Sequence, residues 1–515
     1  MKKFFILCLF GLLIVGLSAP VYAQIDFKAY GGLFAGFVAH RNVSGGSGNI
    51  TTFFAPPYFP EDGTANSGAW DKFANFYSSY ANIFLEWNAG KEVKGVFNIE
   101  TVNYFSGTNT IPNQATPPQG LEFDTGLWNT RVGETRLRNA YLQFAVPYFG
   151  IPVPMNVTAG VIPMALRPAF MWALTNGAGI SVDIKPDPAS FTFTWGKMAE
   201  GKTAVADDSN FYSLEGRVKA GPATVGAYSL FQDMKTYPIS YNATAFGTPS
   251  SAFDAGIWWF GAYGDAKVGP VNLNLDFAFD TGKVEGRDSA GFAGTRDVKY
   301  RGWAGQAKAT LPWEKFTFGG LLFYASGADQ RKTSRAGLPG DIAADGTAVS
   351  SRVESFVYPV GDVQWVVWAE SMFLGGNFSS LIAIPQSMVP GGGAWNTRLS
   401  RGALGGTWVA KLSASCQATP WYKATLWGLY IGDTTDHGNT LGDAVKADGR
   451  LRDDGTIGWE LTLVQDINIY KNLTLSIGSG ILFAGDALDQ RVAGFNLNDS
   501  PKNPIMLSTK IAYLF

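Results

Sequence analysis

Ile505-Met506-Leu507-Ser508-Thr509-Lys510-Ile511-Ala512-Tyr513-Leu514-Phe515 closes the sequence, and it alternates without a break. Ile505, Leu507, Thr509, Ile511, Tyr513 and Phe515 fall on one face; Met506, Ser508, Lys510, Ala512 and Leu514 fall on the other. Successive side chains of an extended chain point to opposite sides. Such alternation is therefore a β-strand with one apolar and one mixed face. What it means depends on whether the rest of the chain repeats it.

It does. From Gln24 to Phe37, Ile25, Phe27, Ala29, Gly31, Leu33 and Phe37 oppose Asp26, Lys28 and Tyr30. After a polar stretch over about 40–76, Ala81, Ile83, Leu85 and Trp87 alternate with Asn82, Phe84, Glu86 and Asn88. A turn at Ala89-Gly90-Lys91 leads to Val93, Gly95, Phe97 and Ile99. Val271–Asp280, Thr407–Gln417 and Leu473–Ile481 carry the pattern most plainly, with no charge on their apolar faces. Lys or Arg facing lipid at mid-bilayer costs about 2–4 kcal/mol.

Short turns are readable at Pro147–Pro154, Lys185–Pro188, Ala220–Pro222, Val268–Pro270, Leu311–Trp313, Thr419–Trp421 and Ile469–Asn472. Between them lie long connections, the longest over about 327–402. Connections sorted by parity into short and long are a feature of transmembrane barrels. The fold expected is all-β: one transmembrane antiparallel barrel over 24–515, of about 18 strands (16–20), with no second domain. An extra hairpin around Val363–Ile384 accounts for the upper figure. One strand departs from the pattern. In Glu134–Val146, Arg136 and Arg138 share the parity of Ala140, Leu142 and Phe144. Either a bulge shifts the face or this face meets another subunit; the second is preferred.

Lys2 and Lys3, an apolar run over Phe4–Leu17 and the small residues before Ala23 form a signal peptide, with cleavage expected after Ala23. The run is short of the ~20 residues a spanning helix needs, and Cys8 lies inside it, which weakens a lipoprotein reading. Charged residues are 16%, against about 25% in ordinary soluble domains. With 14% aromatics and 62 glycines, this suits a barrel wall with interfacial girdles and tight turns. Mean hydropathy is +0.02, as alternation rather than clustering requires. A formal net charge of -2 argues against a nucleic-acid partner. Cleavage would leave Cys416 as the single thiol, and His40 and His437 are too far apart for a histidine metal site. No cofactor is expected.

A chain ending on an aromatic residue in such a strand resembles bacterial outer-membrane barrels, in which the last strand closes the seam and serves as the assembly signal. On that resemblance Phe515, Tyr513 and Ile511 are the signal residues. Ile25-Asp26-Phe27-Lys28-Ala29, Asn139–Pro147, Trp459-Glu460-Leu461 and Ile469–Leu473 together resemble the homotrimeric outer-membrane porins of sulfate-reducing bacteria. The resemblance implies passive diffusion through trimeric channels in the bacterial outer membrane. It also implies outer-membrane lipid, periplasmic chaperones and the barrel-assembly machinery as partners, and it supplies no catalytic residues.

Gly196–Thr203 fits the phosphate-binding loop pattern letter for letter. That chemistry needs a helix after the loop, whereas Ala204–Asn210 leads straight into a strand at Tyr212–Val218. The match is read as chance, on a surface loop. Ile162–Gly177 is an apolar external loop that something should cover, either by folding into the lumen or by latching onto a neighbour. Its one charge, Arg167, is a constriction candidate. Other pore-lining candidates are Arg131, Arg136, Arg138, Asp276, Asp280, Lys308 and Lys411. Inward charges of both signs balance along the wall, so weak selectivity is expected, tilted towards anions where the arginines converge.

The function expected is a water-filled channel for ions and small hydrophilic solutes. Two alternatives stand beside it. One is a solute-specific channel for an organic acid or oligosaccharide, with Tyr30, Phe84, Trp259 and Trp427 as a sugar-stacking track. The other is a structural barrel plugged by the 327–402 segment. An enzyme is the least supported class, because no Ser/His/Asp set, paired carboxylates or metal cluster stands out.

Overall fold

The computed structural model describes residues 25–41, 73–106, 133–146, 153–164, 166, 175–199, 208–237, 253–286, 297–333, 340, 348–357, 359, 371, 405–440, 442, 444–491, 498–500 and 502–515. Eighteen long strands, with two short segments paired onto them, form one continuous sheet. In chain order they are β1 (Ile25–Arg41), β2 (Phe73–Ala89), β3 (Val93–Ser106), β4 (Gly133–Ala145), β5 (Met155–Met164) and β6 (Thr175–Ile184). Next come β7 (Ala189–Ala199), β8 (Ser209–Ala220), β9 (Ala223–Tyr237), β10 (Phe253–Val268), β11 (Val271–Gly286) and β12 (Trp303–Trp313). The wall is completed by β13 (Phe316–Ala325), β14 (Thr407–Thr419), β15 (Tyr422–Asp433), β16 (Thr456–Tyr470), β17 (Leu473–Ala484) and β18 (Ile505–Leu514).

Each long strand pairs antiparallel with its sequence neighbours, and β18 pairs back onto β1 from Gly32↔Leu514 to Arg41↔Ile505. At the seam Gly31 and Phe515 exchange both backbone hydrogen bonds, at 3.0 and 3.1 Å. The sheet therefore closes on itself and leaves no row of unpaired amides, the condition for a β-structure in hydrocarbon. Because β13 pairs directly with β14, the wall has no opening for a further hairpin. The segment Val363–Ile384, apart from Ser371, lies outside the described residues, as do the signal-peptide residues 1–23.

The alternation of the sequence becomes the two faces of this wall. Phe27, Leu275, Leu322 and Leu412 are 61%, 58%, 61% and 75% exposed on the outside. Registers keep like with like: Phe27↔Trp87, Trp87↔Gly95 and Ala29↔Leu85 share the outer face. Trp258–Phe260, Trp303–Tyr324 and Trp408–Tyr430 form ring contacts around the half nearer the long connections, with centroids 5.5, 4.6 and 4.8 Å apart. These are the girdles an interface favours. Among the described residues, no helix is long and apolar enough to cross a membrane.

Three expectations need correction. The departure in β4 is explained by a bulge, the alternative that the sequence reading did not prefer. Pairing jumps from Asn98↔Asn139 to Ile99↔Leu137, so Arg138 is the extra residue and Leu137, 53% exposed, takes its place outside. The turn expected at Leu311–Trp313 falls later: β12 runs to Trp313, and Glu314, with φ 53°, opens the turn. The phosphate-loop match is not a surface loop throughout, since Gly196–Ala199 belong to β7 and pair with Phe211, Asn210 and Ser209. An extended backbone presents no cradle of amides.

Candidate functional site

The inner wall is built by the residues between the outward rows, and it is polar. At the end of the short turns, Lys94 Nζ lies 2.7 Å from Glu86, and Asn88 and Tyr30 also donate to Glu86, at 3.1 and 3.4 Å. Further along the wall, Asp183 accepts a hydrogen bond from Thr192 at 2.7 Å and Glu215 accepts one from Tyr263. Asp265 and Asp276 share the donor Asn274 at 3.0 and 3.4 Å, and Gln306 donates to Asp276 at 3.2 Å. Most of these carboxylates accept hydrogen bonds from neutral donors, which fix them against the wall.

In β3 and β4, the Arg138 guanidinium contacts the fully buried carboxylate of Glu100. The bulge is what allows this: it turns Arg138 inward, off the outer face. On β14–β16, Lys411 is buried with its Nζ 4.3 Å from the Trp427 ring centroid. Trp427 and Thr462 each donate to Glu460 Oε1 at 2.8 Å, and Ser371 donates to the other oxygen.

Ser371 belongs to the long connection between β13 and β14, and among the described residues it is one of two places where that connection meets the inner wall. The other is a strap formed by residues 350–357. Its Arg352 and Val353 pair in parallel with Lys299 and Tyr300, which continue β12 upward beside β11. Phe356 N donates to Ser326 O at 3.0 Å. Val357 N donates to Asp280 Oδ2 at 2.9 Å while Gly302 N donates to Oδ1 at 2.7 Å. Trp259 Nε1 donates to Val357 O at 2.8 Å. Phe356 and Asp280 are fully buried. A Cβ at Gly302 would sit 2.3 Å from the Phe356 Cα, so glycine there is what lets the strap lie against the wall.

Around Asp280, the inner wall under the strap is apolar. Tyr300, Val353, Ile257, Trp259, Leu230 and Met234 form one buried cluster with Phe356 and Val357. The cluster extends to Ile162, Met164 and Leu166. The apolar run expected as an external loop is thus partly wall, because β5 continues to Met164 and β6 begins at Thr175. Its covered residues lie on the lumen side.

Of the pore-lining candidates, Asp276, Asp280, Lys308 and Lys411 all lie on the inner face. They do not form one ring: Asp276 is tied into the wall, Asp280 holds the strap, and Lys411 stacks beside Trp427. Arg138 is spoken for by Glu100. The Arg136 backbone lies opposite Glu100, but its side chain, like Arg131 and Arg167 altogether, is outside the described residues. The sugar-stacking track is reduced as well. Trp259 and Trp427 are 1% and 5% exposed and hydrogen-bonded, whereas Tyr30, 40% exposed and stacked on Phe84 at 5.1 Å, still meets the lumen. Sequence reasoning missed the strap. Its signal was faint, a Val353–Val357 fragment inside a long polar connection.

At the rim, the connections after β13 and β15 dock through Asp329. Burial works against its charge, but hydrogen bonds from Lys332 and Arg331 outweigh that and hold the carboxyl down at about 2. His437 Nδ1 lies 3.1 Å from the same carboxylate. Among the described residues no group of His, Cys, Asp or Glu is arranged to hold a metal ion.

No protein-family model matches the sequence, and no curated protein matches it. In structure the chain is similar to Pseudomonas aeruginosa OccK5 (OpdH), with 9% identity, 95% of this chain and 98% of that one covered, and a TM-score of 0.46. Pseudomonas aeruginosa OccK2 (OpdF) and Acinetobacter baumannii OccAB2 each give 10% identity, the same coverages and a TM-score of 0.46. Superpositions this loose fix neither solute nor activity.

Proposed function

We propose that the protein is an outer-membrane porin, a water-filled channel for passive diffusion of ions and small hydrophilic solutes, narrowed by its inward strap. One observation carries the reading: a closed wall with an apolar outer face and an inner face of charged and amide side chains. Hydrocarbon outside and water inside satisfy both faces, and a dry core satisfies neither. The short turns then face the periplasm and the long connections the exterior. Inner-wall charges of both signs support weak selectivity. Assembly as a homotrimer, which the sequence resemblance implies, belongs to the proposal without support from β4.

Purified protein in a planar bilayer tests this. Conductance that rises with salt is expected; folded protein that passes no current would overturn the reading. A solute-selective channel is the second reading, favoured by the strap and by the lumen-facing Tyr30–Phe84 pair. It would show as interruption of the current by one class of solute and not by others.

A further inference from the structure

The outer wall, which plays no part in conduction, carries a shallow, open apolar depression across β10–β14. Phe277, Trp303, Leu322, Tyr324 and Trp408 flank it, and Gly264 and Gly305 give it a low floor. These two glycines differ from those the fold requires. A Cβ on Gly305 would meet nothing nearer than 3.4 Å, and one on Gly264 nothing nearer than 4.0 Å. At Gly302 and Gly261, facing inward, the same atom would come within 2.3 Å of a neighbour. The chain's own packing does not demand glycine on the floor of the depression; the space is left open on the face turned to lipid.

Directly above it, the same strand face carries charge. Lys299 lies opposite Lys283, and Trp303 opposite Phe279, which places Lys299, Arg301, Trp303, Gly305 and Ala307 in one outward column. Arg352 joins the column's upper end beside Lys299. Lys299, Arg301 and Arg352 are exposed, and none makes an ion pair among the described residues. Of the acids on this rim, Glu285 is taken by Lys283, and Asp297 and Glu354 lie beyond ion-pair distance of the three cations. At ~3.3 Å per residue along a strand tilted by about 40°, the floor at Gly305–Ala307 is roughly 10–15 Å below Arg301. That is about a third to a half of the ~30 Å hydrocarbon thickness. Cations at the rim, aromatic rings below them and an open apolar slot at acyl-chain depth are ordered like an amphiphile.

We infer that this column binds a phosphate-bearing acylated lipid of the outer leaflet, its phosphate on Arg301, Lys299 and Arg352 and one acyl chain in the slot floored by Gly264 and Gly305. The inference rests on the outer-membrane reading above. Native mass spectrometry of the whole detergent-solubilised protein tests it, with diphosphorylated lipid A, the same lipid without phosphate, and phosphatidylethanolamine as probes. Retention of the diphosphorylated lipid is expected. It should weaken about tenfold on loss of the phosphates or in a Lys299→Glu/Arg301→Glu variant, because charge-assisted contacts are lost. Gly305→Trp, which fills the slot, should weaken it similarly. Both substitutions face outward, so conductance should match that of the unaltered protein, which separates failure of the site from failure of the channel. Equal retention by both variants and the unaltered protein would overturn the inference. So would a Gly305→Trp variant that loses its oligomeric state while keeping the lipid, since the slot would then seat a second copy.

Discussion

Arg138 and Glu100 show how a single inserted residue settles a charge. Without the bulge, Arg138 would face hydrocarbon; with it, the guanidinium reaches a carboxylate that has no solvent exposure. Removing one partner of a buried pair withdraws compensation from the other charge, at a cost of up to about 3–5 kcal/mol. Arg138→Met should therefore lower unfolding stability in detergent by up to that amount, and adding Glu100→Gln should restore part of it, as denaturant titration of both variants would reveal. At the rim, the folded Asp329 carboxyl sits at about 2, below the roughly 3.9 of an unfolded aspartate. Its contribution is complete above about pH 4 and is lost as pH falls through 2. The amides of Gln330 and Asp436, which bond across this contact, should exchange faster on acidification over that window. In Asp329→Asn their exchange should lose that dependence, as hydrogen-exchange mass spectrometry would report.

At the scale of strands, alternation was legible wherever one face meets lipid and the other water, because only there does each position have a preferred polarity. It was less plain at the far end of some strands: β2 begins at Phe73, eight residues before the alternation becomes plain at Ala81. The bulge in β4 was legible only as an anomaly, because a parity break in sequence looks the same whether its cause is a bulge or a protein neighbour. The strap was not legible, since its hold depends on Asp280, Trp259 and Gly302, which are far from it in sequence and meet it only in the closed barrel. Gly302→Val would force the Phe356 backbone off the wall, so single-channel conductance should rise; an unchanged value would mean that the strap does not narrow the pore. On the outer face, Leu412→Arg should cost about 2–4 kcal/mol, decreasing towards the interfaces, measurable as reduced folding into vesicles.

For the whole molecule, closure is the decisive event, and it is made by the two ends of the described wall. Phe515 contributes two backbone hydrogen bonds to Gly31, and Tyr513 and Ile511 lie on the outer face of the closing strand. Deleting Phe515 should lower the yield of heat-modifiable, folded barrel in the outer membrane; undiminished assembly would remove these residues from any sorting role. The sequence by itself determined the strand class, a wall of about eighteen strands and which side chains face which way. Those follow from a period of two and from the local chemistry of turns, both properties of neighbours along the chain. Only the tertiary structure decided which carboxylates are neutralised, which aromatic rings are consumed in the wall and what enters the lumen. Each of those depends on residues brought together across strands or across the barrel, and on a register that no single strand encodes.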